Sequence, residues 1–348
     1  MVGSASSPHA LRAGIVGASG YTGSELIRLL DAHPQIDVAV VTADSHAGAQ
    51  LHEVHPWLSA LGPRTLTETT PDAVDGLDVV FCGLPHEASV ELIPQIIDRV
   101  GVSVDLSAGF RFADPEVYPR WYGFTHAHPE LLERAVYGLC ELNRDALAGA
   151  TLIATPGCYV TAAVLALQPL VAGGYVADTG IVVDAASGVT GAGRRADIAY
   201  SFTTIDEDMS AYGVAGHRHT PEIEMGIGAR VLFTPHLVPM NRGILATSYA
   251  QPASDTVRST TGVLEVLSAA YASERFVIVG EEMPHTKACY GSNLVQITGR
   301  YDERTDTVIV ISALDNLTKG ASGGALQAAN IALGLDEAAG LSRIGVAP

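Results

Sequence analysis

Hydrophobic and polar positions in the first 150 residues predict short buried strands separated by helices. Four apolar runs predict strands and begin at Leu11, Ile36, Val79 and Val102. Amphipathic or apolar helical patterns follow the first and third runs, over 24–32 and 89–99. Continuous apolar strands alternating with helices are typical of a parallel sheet that helices cover on both faces. The predicted fold class is therefore α/β, with a doubly wound Rossmann-type domain.

The pattern changes after about residue 155. An Ala-rich helical stretch runs from about Cys158 to Leu167, and further apolar runs predict strands over 180–186, 231–249, 276–279, 293–299 and 308–313. The last two are expected to pair around Tyr301 to Asp306. These elements predict a second, α+β domain with a mixed sheet. The predicted limits are 1–155 for the first domain and 156–315 for the second, with a C-terminal helix, 316–348, completing the first.

Composition agrees with a globular enzyme or binding protein of two domains. The chain has 348 residues, of which 47% are hydrophobic, and its net charge is −18. A chain of this length usually exceeds one core. The negative charge argues against nucleic acid or an anionic membrane surface as a partner. An anionic ligand would need local Arg, Lys or backbone N–H groups.

The remaining composition features concern the cellular location. Met1 to Ala10 is rich in Ser and Ala without a basic or apolar region, so we expect a loose tail rather than a secretory signal. No apolar run reaches membrane-spanning length without Pro or Gly. The four cysteines are scattered and form no C-x-x-C pair. We expect reduced thiols in the cytoplasm, not disulfides or a zinc site.

A glycine-rich turn follows the first predicted strand and opens the first predicted helix. Its sequence is Gly17-Ala-Ser-Gly-Tyr-Thr-Gly23, so the glycine spacing is G-x-x-G-x-x-G. Backbone N–H groups and a helix N-terminus in this setting bind a dinucleotide pyrophosphate. The candidate cofactor-binding residues are Gly17, Ser19, Gly20, Tyr21, Thr22 and Gly23; a tight turn without a ligand is the alternative.

The end of the second strand bears on the choice of cofactor. NAD enzymes usually have an acidic residue there that binds the ribose hydroxyls, and Asp44 fits that position. Ser45 and His46 are instead candidates for hydrogen bonds to the 2′-phosphate of NADP. No basic residue follows this strand, so the residues at its end leave both cofactors open.

Cys158 stands where a predicted strand passes into the Ala-rich helix. Thr155 is a good N-cap and Pro156 a good first helical residue, which would place Cys158 in the first turn. Unpaired N–H groups and the positive end of the helix dipole favour a thiolate there, and the thiolate is the nucleophile. The alternative is an inert, buried cysteine.

The string Ile153-Ala-Thr-Pro-Gly-Cys-Tyr-Val-Thr-Ala-Ala-Val-Leu-Ala-Leu-Gln-Pro169 resembles the active-site signature of the N-acetyl-gamma-glutamyl-phosphate reductases. That family is related to the aspartate-semialdehyde dehydrogenases. Other segments resemble the family in the same order, from about Arg12 to Glu337: Asp105 to Arg111, Tyr137 to Arg144, Ser187 to Arg194, Val231 to Tyr249 and Asp315 to Asn330.

The resemblance implies roles for residues of the first domain. Arg111, after a strand end, would bind the acyl phosphate of the substrate, since a guanidinium grips phosphate through two hydrogen bonds. Leu84 and Pro85 would lie against the cofactor, and His86 is either a further contact or a surface histidine. Glu141 is expected to be structural. Cys140 stands where the family has proline and is a second thiol that could lie near the site.

The resemblance also implies roles in the second domain. The segment Gly216-His-Arg-His-Thr-Pro-Glu222 would supply the acid/base to Cys158, with His217 placed before His219, although spacing does not decide between them. Arg218 would contact a substrate carboxylate, and Glu222 would bind substrate or orient a neighbour. Two histidines at i and i+2 without a nearby third ligand are a poor zinc pattern, so no metal is expected.

The implied cofactor contacts of this domain are Ser187 and Gly188 in the glycine-rich loop, and Asn316 and Lys319 near the C-terminus.

The implied activity is NADPH-dependent reduction of N-acetyl-L-glutamyl 5-phosphate to the semialdehyde in arginine biosynthesis, through a thioacyl intermediate on Cys158. The second sheet would form a homodimer or homotetramer contact. Alternatives are a reductase of aspartyl phosphate or carrier-linked aminoadipyl phosphate, and a non-catalytic NADP-binding sensor.

Overall fold

The structure, a computed structural model, is described for residues 10–194 and 196–346. The chain divides into two compact units. The first contains the chain up to Glu116, Phe124–Thr155 and Ser322–Leu341; the second contains Val117–Gly123, Pro156–Ala321 and the chain from Ser342 onwards. The expected tail, Met1 to Ala10, lies outside the described residues except for Ala10.

The elements of both units are numbered in chain order. The strands are β1 Leu11–Val16, β2 Ile36–Thr42, β3 Val79–Cys82, β4 Val102–Asp105, β5 Val136–Tyr137, β6 Leu152–Ala154, β7 Ile181–Ser187, β8 Ser210–Ala211, β9 Val231–Leu237, β10 Ile244–Ala250, β11 Val277–Val279, β12 Val295–Asp302 and β13 Thr307–Leu314. The helices are α1 Tyr21–Asp31, α2 Leu51–Val54, α3 His86–Ile96, α4 Val117–Trp121, α5 Cys140–Leu147, α6 Cys158–Ala172, α7 Phe202–Ile205, α8 Thr220–Ile227, α9 Thr260–Ala270, α10 Thr286–Cys289 and α11 Gly323–Ala332.

The first unit is built on a six-stranded sheet with the strand order β2-β1-β3-β4-β6-β5. Every pairing in it is parallel. The strand order reverses between β1 and β3, and ligands of doubly wound sheets bind at the carboxyl ends of the strands at such a point. The α/β, Rossmann-type prediction is confirmed for this unit.

The second unit is built on a seven-stranded mixed sheet with the order β11-β12-β13-β10-β7-β9-β8. The pairs β7–β9 and β11–β12 are parallel, and the others are antiparallel. Strands β12 and β13 form the expected hairpin, with Asp302 opposite Thr307. Helices α6, α8 and α9 pack on this sheet. The predicted mixed sheet is therefore confirmed.

Helix starts differ from the sequence-based predictions in a systematic way. Helix α1 begins at Tyr21 rather than at position 24, and α3 begins at His86 rather than at Ser89. In both cases the apolar stripe begins only after the first turn, so hydrophobic periodicity places the start too late. The segment 54–70, for which the sequence predicted no helix or strand, contains the 3₁₀ helix Pro56–Leu61.

The prediction for the nucleophile helix was wrong by two residues. Its N-cap is Gly157 and its first residue is Cys158, not Thr155 and Pro156. The N–H of Thr155 instead continues the sheet, donating to the oxygen of Asp105 at 2.8 Å. Because that bond keeps Thr155 extended, the chain turns into the helix only after Gly157, whose ψ is 149°.

The predicted C-terminal helix, 316–348, is also shorter than expected. A π-helical turn, Thr318–Ser322, precedes α11, and α11 ends at Ala332. Gly334, with φ +70°, turns the chain out of the helix. Helix α11 packs on α5, on β4 and on α1 within the first unit.

A buried polar network fixes the chain after α11 to the first unit. Asn330 is fully buried; its Oδ1 accepts from His33 Nε2 at 3.1 Å, and its Nδ2 donates to the oxygens of Glu337 and Ala339. His33 Nδ1 accepts from the N–H groups of Gln35 and Ile36. This pattern requires a neutral imidazole, and burial lowers the pKa of His33 accordingly.

We predict that Asn330→Ala lowers the free energy of unfolding by about 2–4 kcal/mol, because it removes the amide that the buried His33 donor and two partly buried carbonyls bond to. Urea-induced unfolding measures the change. Gln95→Ala, which removes a solvent-exposed side-chain bond to Glu91 on α3, is the control and should change it by less than about 0.5 kcal/mol. Equal effects of both substitutions would contradict the proposed importance of the network.

Candidate active site

The glycine-rich turn of the first unit lies at the point where the strand order of the sheet reverses. Gly17 has φ +77°, and a Cβ built on it would lie 2.4 Å from the oxygen of Gly83, at the end of β3. Only glycine combines this backbone conformation with so close an approach. At Gly23, a Cβ would lie 2.6 Å from the oxygen of Gly17. The turn is thus compact, and it opens α1.

The N-terminus of α1 is built to accept an anion. Gly20 is its N-cap, and among the described residues no side chain caps this end and no acidic residue lies in its first turn. Tyr21, Thr22 and Gly23 are the first three residues of the helix, where N–H groups have no helical acceptor. Ser19 immediately precedes this end. A pyrophosphate fits this glycine cradle and the positive end of the helix dipole.

The other predicted cofactor contacts of the first unit lie at strand ends of the same sheet. Ser45 follows β2, and its Oγ lies 3.0 Å from Nδ1 of the exposed His46; Asp44 beside them is also exposed. Leu84 and Pro85 follow β3, and Pro85 is the N-cap of α3. His86 begins that helix and stacks on Phe124 at a centroid distance of 5.3 Å.

Arg111 is held close to the end of β6. Its Nε donates to the oxygen of Thr155 at 2.8 Å, three residues before Cys158 in the sequence, and its Nη2 donates to the oxygen of Leu106. The loop that contains Arg111 is organised by Asp105, a buried carboxylate that accepts from Ser89 Oγ, Ser107 Oγ and Ser107 N–H. Burial raises the pKa of Asp105. Sequence reasoning missed this role, although Asp105 begins a quoted motif.

Cys140, the second thiol that was expected near the site, and Glu141, expected to be structural, also lie in the first unit. Cys140 is buried in α5, and its Sγ contacts the oxygen of Gly138 at 3.8 Å. Glu141 is partly buried in the first turn of the same helix.

In the second unit, Cys158 is the first residue of α6 and is partly exposed, whereas the three residues before it are buried. The backbone of Gly320 lies against it, since a Cβ at Gly320 would lie 2.8 Å from the Cβ of Cys158. Gly320 belongs to the π-helical turn before α11, and its N–H donates to the oxygen of Asp315. Such turns are frequent at functional sites.

Helix α8 brings His219 and Glu222 to the residue that precedes Cys158. Nε2 of His219 lies 2.5 Å from the position that a Cβ on Gly157 would occupy. Glu222 is fully buried, and its Oε1 accepts from the N–H of Gly157 at 2.9 Å. Any side chain at Gly157 would therefore displace the imidazole of His219.

His217 is held differently from His219. Its Nδ1 accepts a hydrogen bond from the backbone N–H of His219 at 3.0 Å. Burial, and then the positive charge of Arg218, lower the pKa of His217 to about 4. The ring is therefore neutral near pH 7 and supports the backbone of His219. The two rings meet edge to face, with centroids 4.8 Å apart.

Tyr159 and Tyr212 complete the surroundings of the histidines, and sequence reasoning did not single out either one. The hydroxyl of Tyr212 donates to that of Tyr159 at 3.0 Å, which donates to the oxygen of His236. Burial raises the pKa of both phenols, to about 12 for Tyr212. The only available signal was the position of Tyr159 directly after Cys158.

The predicted contacts in the glycine-rich loop and near the C-terminus form a second cluster in this unit. Ser187 ends β7, and the N–H of Gly188 donates to the oxygen of Gly243. Asn316 joins the two segments, since its Oδ1 accepts from Gly243 N–H and its Nδ2 donates to Thr190 Oγ1. Lys319 is only 2% exposed and lies over the ring of Phe276 at 6.0 Å.

Arg218 is exposed, and its guanidinium lies 5.8 Å from the ring of Tyr122, whose hydroxyl donates to the Arg218 oxygen. Within residues 10–194 and 196–346, no group of three or more His, Cys, Asp and Glu side chains is arranged to hold a metal ion. In the same ranges no helix has the length and apolar character needed to cross a membrane.

Comparison with known families agrees with the two units. Residues 12–150 match the NAD-binding domain of the semialdehyde dehydrogenases, and residues 158–316 match their dimerisation domain. In solved structures, the fold is similar to aspartate semialdehyde dehydrogenase II from Vibrio cholerae, with a TM-score of 0.70, 15% identity and coverage of 93% of this chain and 98% of that one. The Candida albicans enzyme, solved with NADP, gives a TM-score of 0.64 at 16% identity over 92% and 99% of the two chains.

Curated relatives match over almost the whole length. N-acetyl-gamma-glutamyl-phosphate reductase from Symbiobacterium thermophilum is 45% identical, covering 96% of this chain and 98% of that protein. The protein of the same name from Desulforudis audaxviator is 46% identical, covering 97% and 100%. The chain therefore belongs to the N-acetyl-gamma-glutamyl-phosphate reductases, a family of the semialdehyde dehydrogenases.

Proposed function

We propose that this chain reduces N-acetyl-L-glutamyl 5-phosphate to N-acetyl-L-glutamate 5-semialdehyde and phosphate, with NADPH, in arginine biosynthesis. The observation that supports it most is Cys158 at the start of α6, with the imidazole of His219 packed against the preceding glycine. A thiol beside an imidazole at a helix N-terminus is the arrangement of an activated nucleophile. The names of the relatives supply the substrate.

The reaction begins with a covalent step on the sulfur. His219 takes the proton of Cys158, and Sγ attacks the acyl carbon; the bond from that carbon to the phosphate oxygen breaks and phosphate leaves. We assign the developing oxyanion to backbone N–H groups in the first turn of α6, where the helix dipole is positive. Arg111 binds the departing phosphate, because a guanidinium matches its geometry and charge.

NADPH, when bound, supplies the hydride that reduces the thioester carbon. The C–S bond then breaks, the aldehyde forms, and His219 returns the proton to the sulfur. The residues proposed to hold the cofactor are the cradle 17–23, Ser45, Leu84 and Pro85 in the first unit, and Ser187, Gly188, Asn316 and Lys319 in the second. The uncapped start of α1 and the close glycine contacts of the cradle fit a pyrophosphate.

NADP rather than NAD is proposed from the end of β2. Ser45 and His46 are exposed and hydrogen-bonded to each other, and the residue that accepts in that bond keeps an N–H or O–H for a 2′-phosphate. Asp44 beside them is the residue that would favour NAD through the ribose hydroxyls.

All four cysteines lie within the described residues and none forms a disulfide, which supports a reducing, cytoplasmic location.

His219, and not His217, is the acid/base that we propose. His217 is neutral near pH 7 and already accepts the N–H of His219 through Nδ1. His219 presents Nε2 to the residue next to the nucleophile. Arg218, exposed beside these histidines, remains the proposed contact for a substrate carboxylate.

A homo-oligomer formed through the second sheet is also proposed. Cross-strand neighbours Leu232, Val182, Tyr249 and Ile309 form a row on one face, and Leu232 and Tyr249 are 56% and 37% exposed. Their neighbours along the strands, such as Phe233 and Val183, are buried on the other face. An apolar sheet face of this kind is typical of a subunit contact, and the dimerisation-domain match covers it.

The activity is tested in reverse. Purified protein with N-acetylglutamate semialdehyde, inorganic phosphate and NADP should form NADPH only when phosphate is present, and should do so poorly with NAD or aspartate semialdehyde. Cys158→Ser should lower the rate by at least about 10³-fold while NADP binding is retained. Turnover with aspartate semialdehyde alone, or NADP binding without turnover of either aldehyde, would favour the rival functions.

The two histidines are separated by matched substitutions. His219→Asn should lower kcat by about 10²–10⁴-fold. His217→Asn retains an acceptor near the position of Nδ1 and should lower kcat by less than about 10-fold. Because the pKa of His217 is about 4, any change in kcat between pH 5 and 8 should persist in His217→Asn. The reverse order of effects would make His217 the acid/base.

The oligomer is tested by sedimentation. Tyr249→Asp places a charge in the apolar row and should shift the protein to a smaller species at micromolar concentration, since an uncompensated charge in an interface costs several kcal/mol. Arg304→Asp, at an exposed site in the hairpin turn between β12 and β13, is the control and should leave the mass unchanged. A Tyr249→Asp protein with the wild-type mass would remove this face as the contact.

A further inference from the structure

His126 is a buried histidine of the first unit to which the proposed reaction gives no part. It is 5% exposed and lies outside regular secondary structure. Burying an imidazole is costly unless its ring nitrogens find hydrogen-bond partners. Nε2 lies 2.8 Å from the carbonyl oxygen of Gly109, and Nδ1 lies 3.1 Å from the backbone nitrogen of His128. Both nitrogens therefore bond to backbone groups.

These two partners define the protonation state of the ring. Because a carbonyl oxygen only accepts, Nε2 must carry a proton; because the His128 N–H only donates, Nδ1 must be without one. The imidazole is therefore neutral, and burial lowers the pKa of His126 accordingly. The ring is a fixed donor to Gly109, across 17 positions of the chain.

Gly109 belongs to the loop that leads from β4 to Arg111, and both of its backbone polar groups are bound by side chains. Its N–H donates to Ser107 Oγ at 2.9 Å, and that hydroxyl donates to the buried carboxylate of Asp105. Its carbonyl accepts from His126. Asp105 thus holds the start of the loop, and His126 holds the part next to Arg111.

The space around this part of the loop is as restricted as its hydrogen bonds. A Cβ on Gly109 would lie 2.9 Å from Cγ2 of Val90 on α3. The next residue, Phe110, is 1% exposed, and its ring meets that of His126 edge to face at a centroid distance of 5.3 Å. The imidazole therefore supports two successive residues, one by a hydrogen bond and the other by packing.

Arg111 follows directly after these two residues. Its guanidinium donates to the oxygens of Thr155 and Leu106, so the head of the side chain is held by backbone acceptors. The base of the side chain depends on the backbone that His126 supports. A guanidinium binds phosphate well only in a defined orientation, and a displacement of about 1 Å is enough to weaken such a contact.

We propose that His126 is a positioning residue for phosphate binding: its Nε2–H fixes the Gly109 carbonyl and its ring supports Phe110, so that the loop presents Arg111 to the phosphate of the substrate. The inference rests on the proposed function in naming Arg111 as the phosphate contact. Because His126 acts through this loop, its loss should weaken the binding of phosphate and leave the binding of the aldehyde and of NADP unchanged.

The test separates the two nitrogens of the ring. His126→Gln places an N–H donor near the position of Nε2, whereas His126→Asn retains an acceptor near Nδ1 and loses the donor to Gly109. In the reverse assay, His126→Asn should raise KM for inorganic phosphate about 10-fold, with kcat and the other two KM values within about 3-fold of the wild type. His126→Gln should keep KM for phosphate within about 3-fold of the wild type.

Hydrogen exchange of the peptide 106–112, measured by mass spectrometry, tests the loop without any substrate. Exchange there should be at least about 10-fold faster in His126→Asn, since a bond that closes the loop is lost. His128→Ala is the matched control. It keeps the backbone N–H that His126 accepts and removes only an exposed side-chain contact with Glu130, so exchange and KM for phosphate should stay at wild-type values.

Three results would overturn the proposal. They are wild-type exchange and phosphate KM in His126→Asn, an equal rise of all three KM values in that variant, and a 10-fold rise of the phosphate KM in His126→Gln, which also decides the matter if His126→Asn does not fold. A wild-type protein without reverse activity would count against the proposed function instead, and the exchange of the loop would still test the role of His126.

Discussion

The hydrogen bond from the Gly157 amide to Glu222 is the interaction on which the chemistry proposed for the second unit depends. It joins the start of the nucleophile helix to the start of the histidine helix, so two elements far apart in sequence share one fixed point. Glycine is required there because His219 occupies the space of a side chain. A thiol and an imidazole otherwise carried by separate helices thereby acquire a defined relation, which general base activation needs.

Local groups at helix starts also matter for the binding of anions, because the net charge of the chain is −18. Long-range attraction cannot assist a phosphate here, so local groups must provide it. In the first unit the groups proposed for this are the uncapped first turn of α1 and the guanidinium of Arg111. Both stand at carboxyl ends of strands in a parallel sheet, where chain direction alone brings helix starts and loop residues together.

The sequence predicted those features whose cause is local. The parallel sheet, the glycine cradle, the cysteine at a helix start and the hairpin of β12 and β13 all follow from short stretches. The helix start itself was placed two residues early, because the bond from Thr155 to Asp105 belongs to the sheet and not to the local sequence. The choice between His217 and His219 depends on which nitrogen receives a backbone N–H, and spacing contains no such information. The hydrogen bond from Tyr212 to Tyr159 joins residues 53 positions apart, so the sequence alone did not predict it either.

Three buried carboxylates hold loops in a defined position, although burying a charged group lowers the stability of the fold. Glu222 holds the Cys158 turn, Asp105 holds the loop of Arg111 through Ser107, and Asp315 accepts the N–H groups of Leu317 and Thr318 at the turn of Lys319 and Gly320. Each is fully buried and accepts hydrogen bonds from backbone or hydroxyl donors, and Asp315 Oδ2 also lies 3.5 Å from Nη1 of Arg242. A hydrophobic residue there would leave the buried N–H groups without an acceptor. Only a buried acceptor can fix several N–H groups at once, and in all three cases the loop that it fixes contains a proposed functional residue.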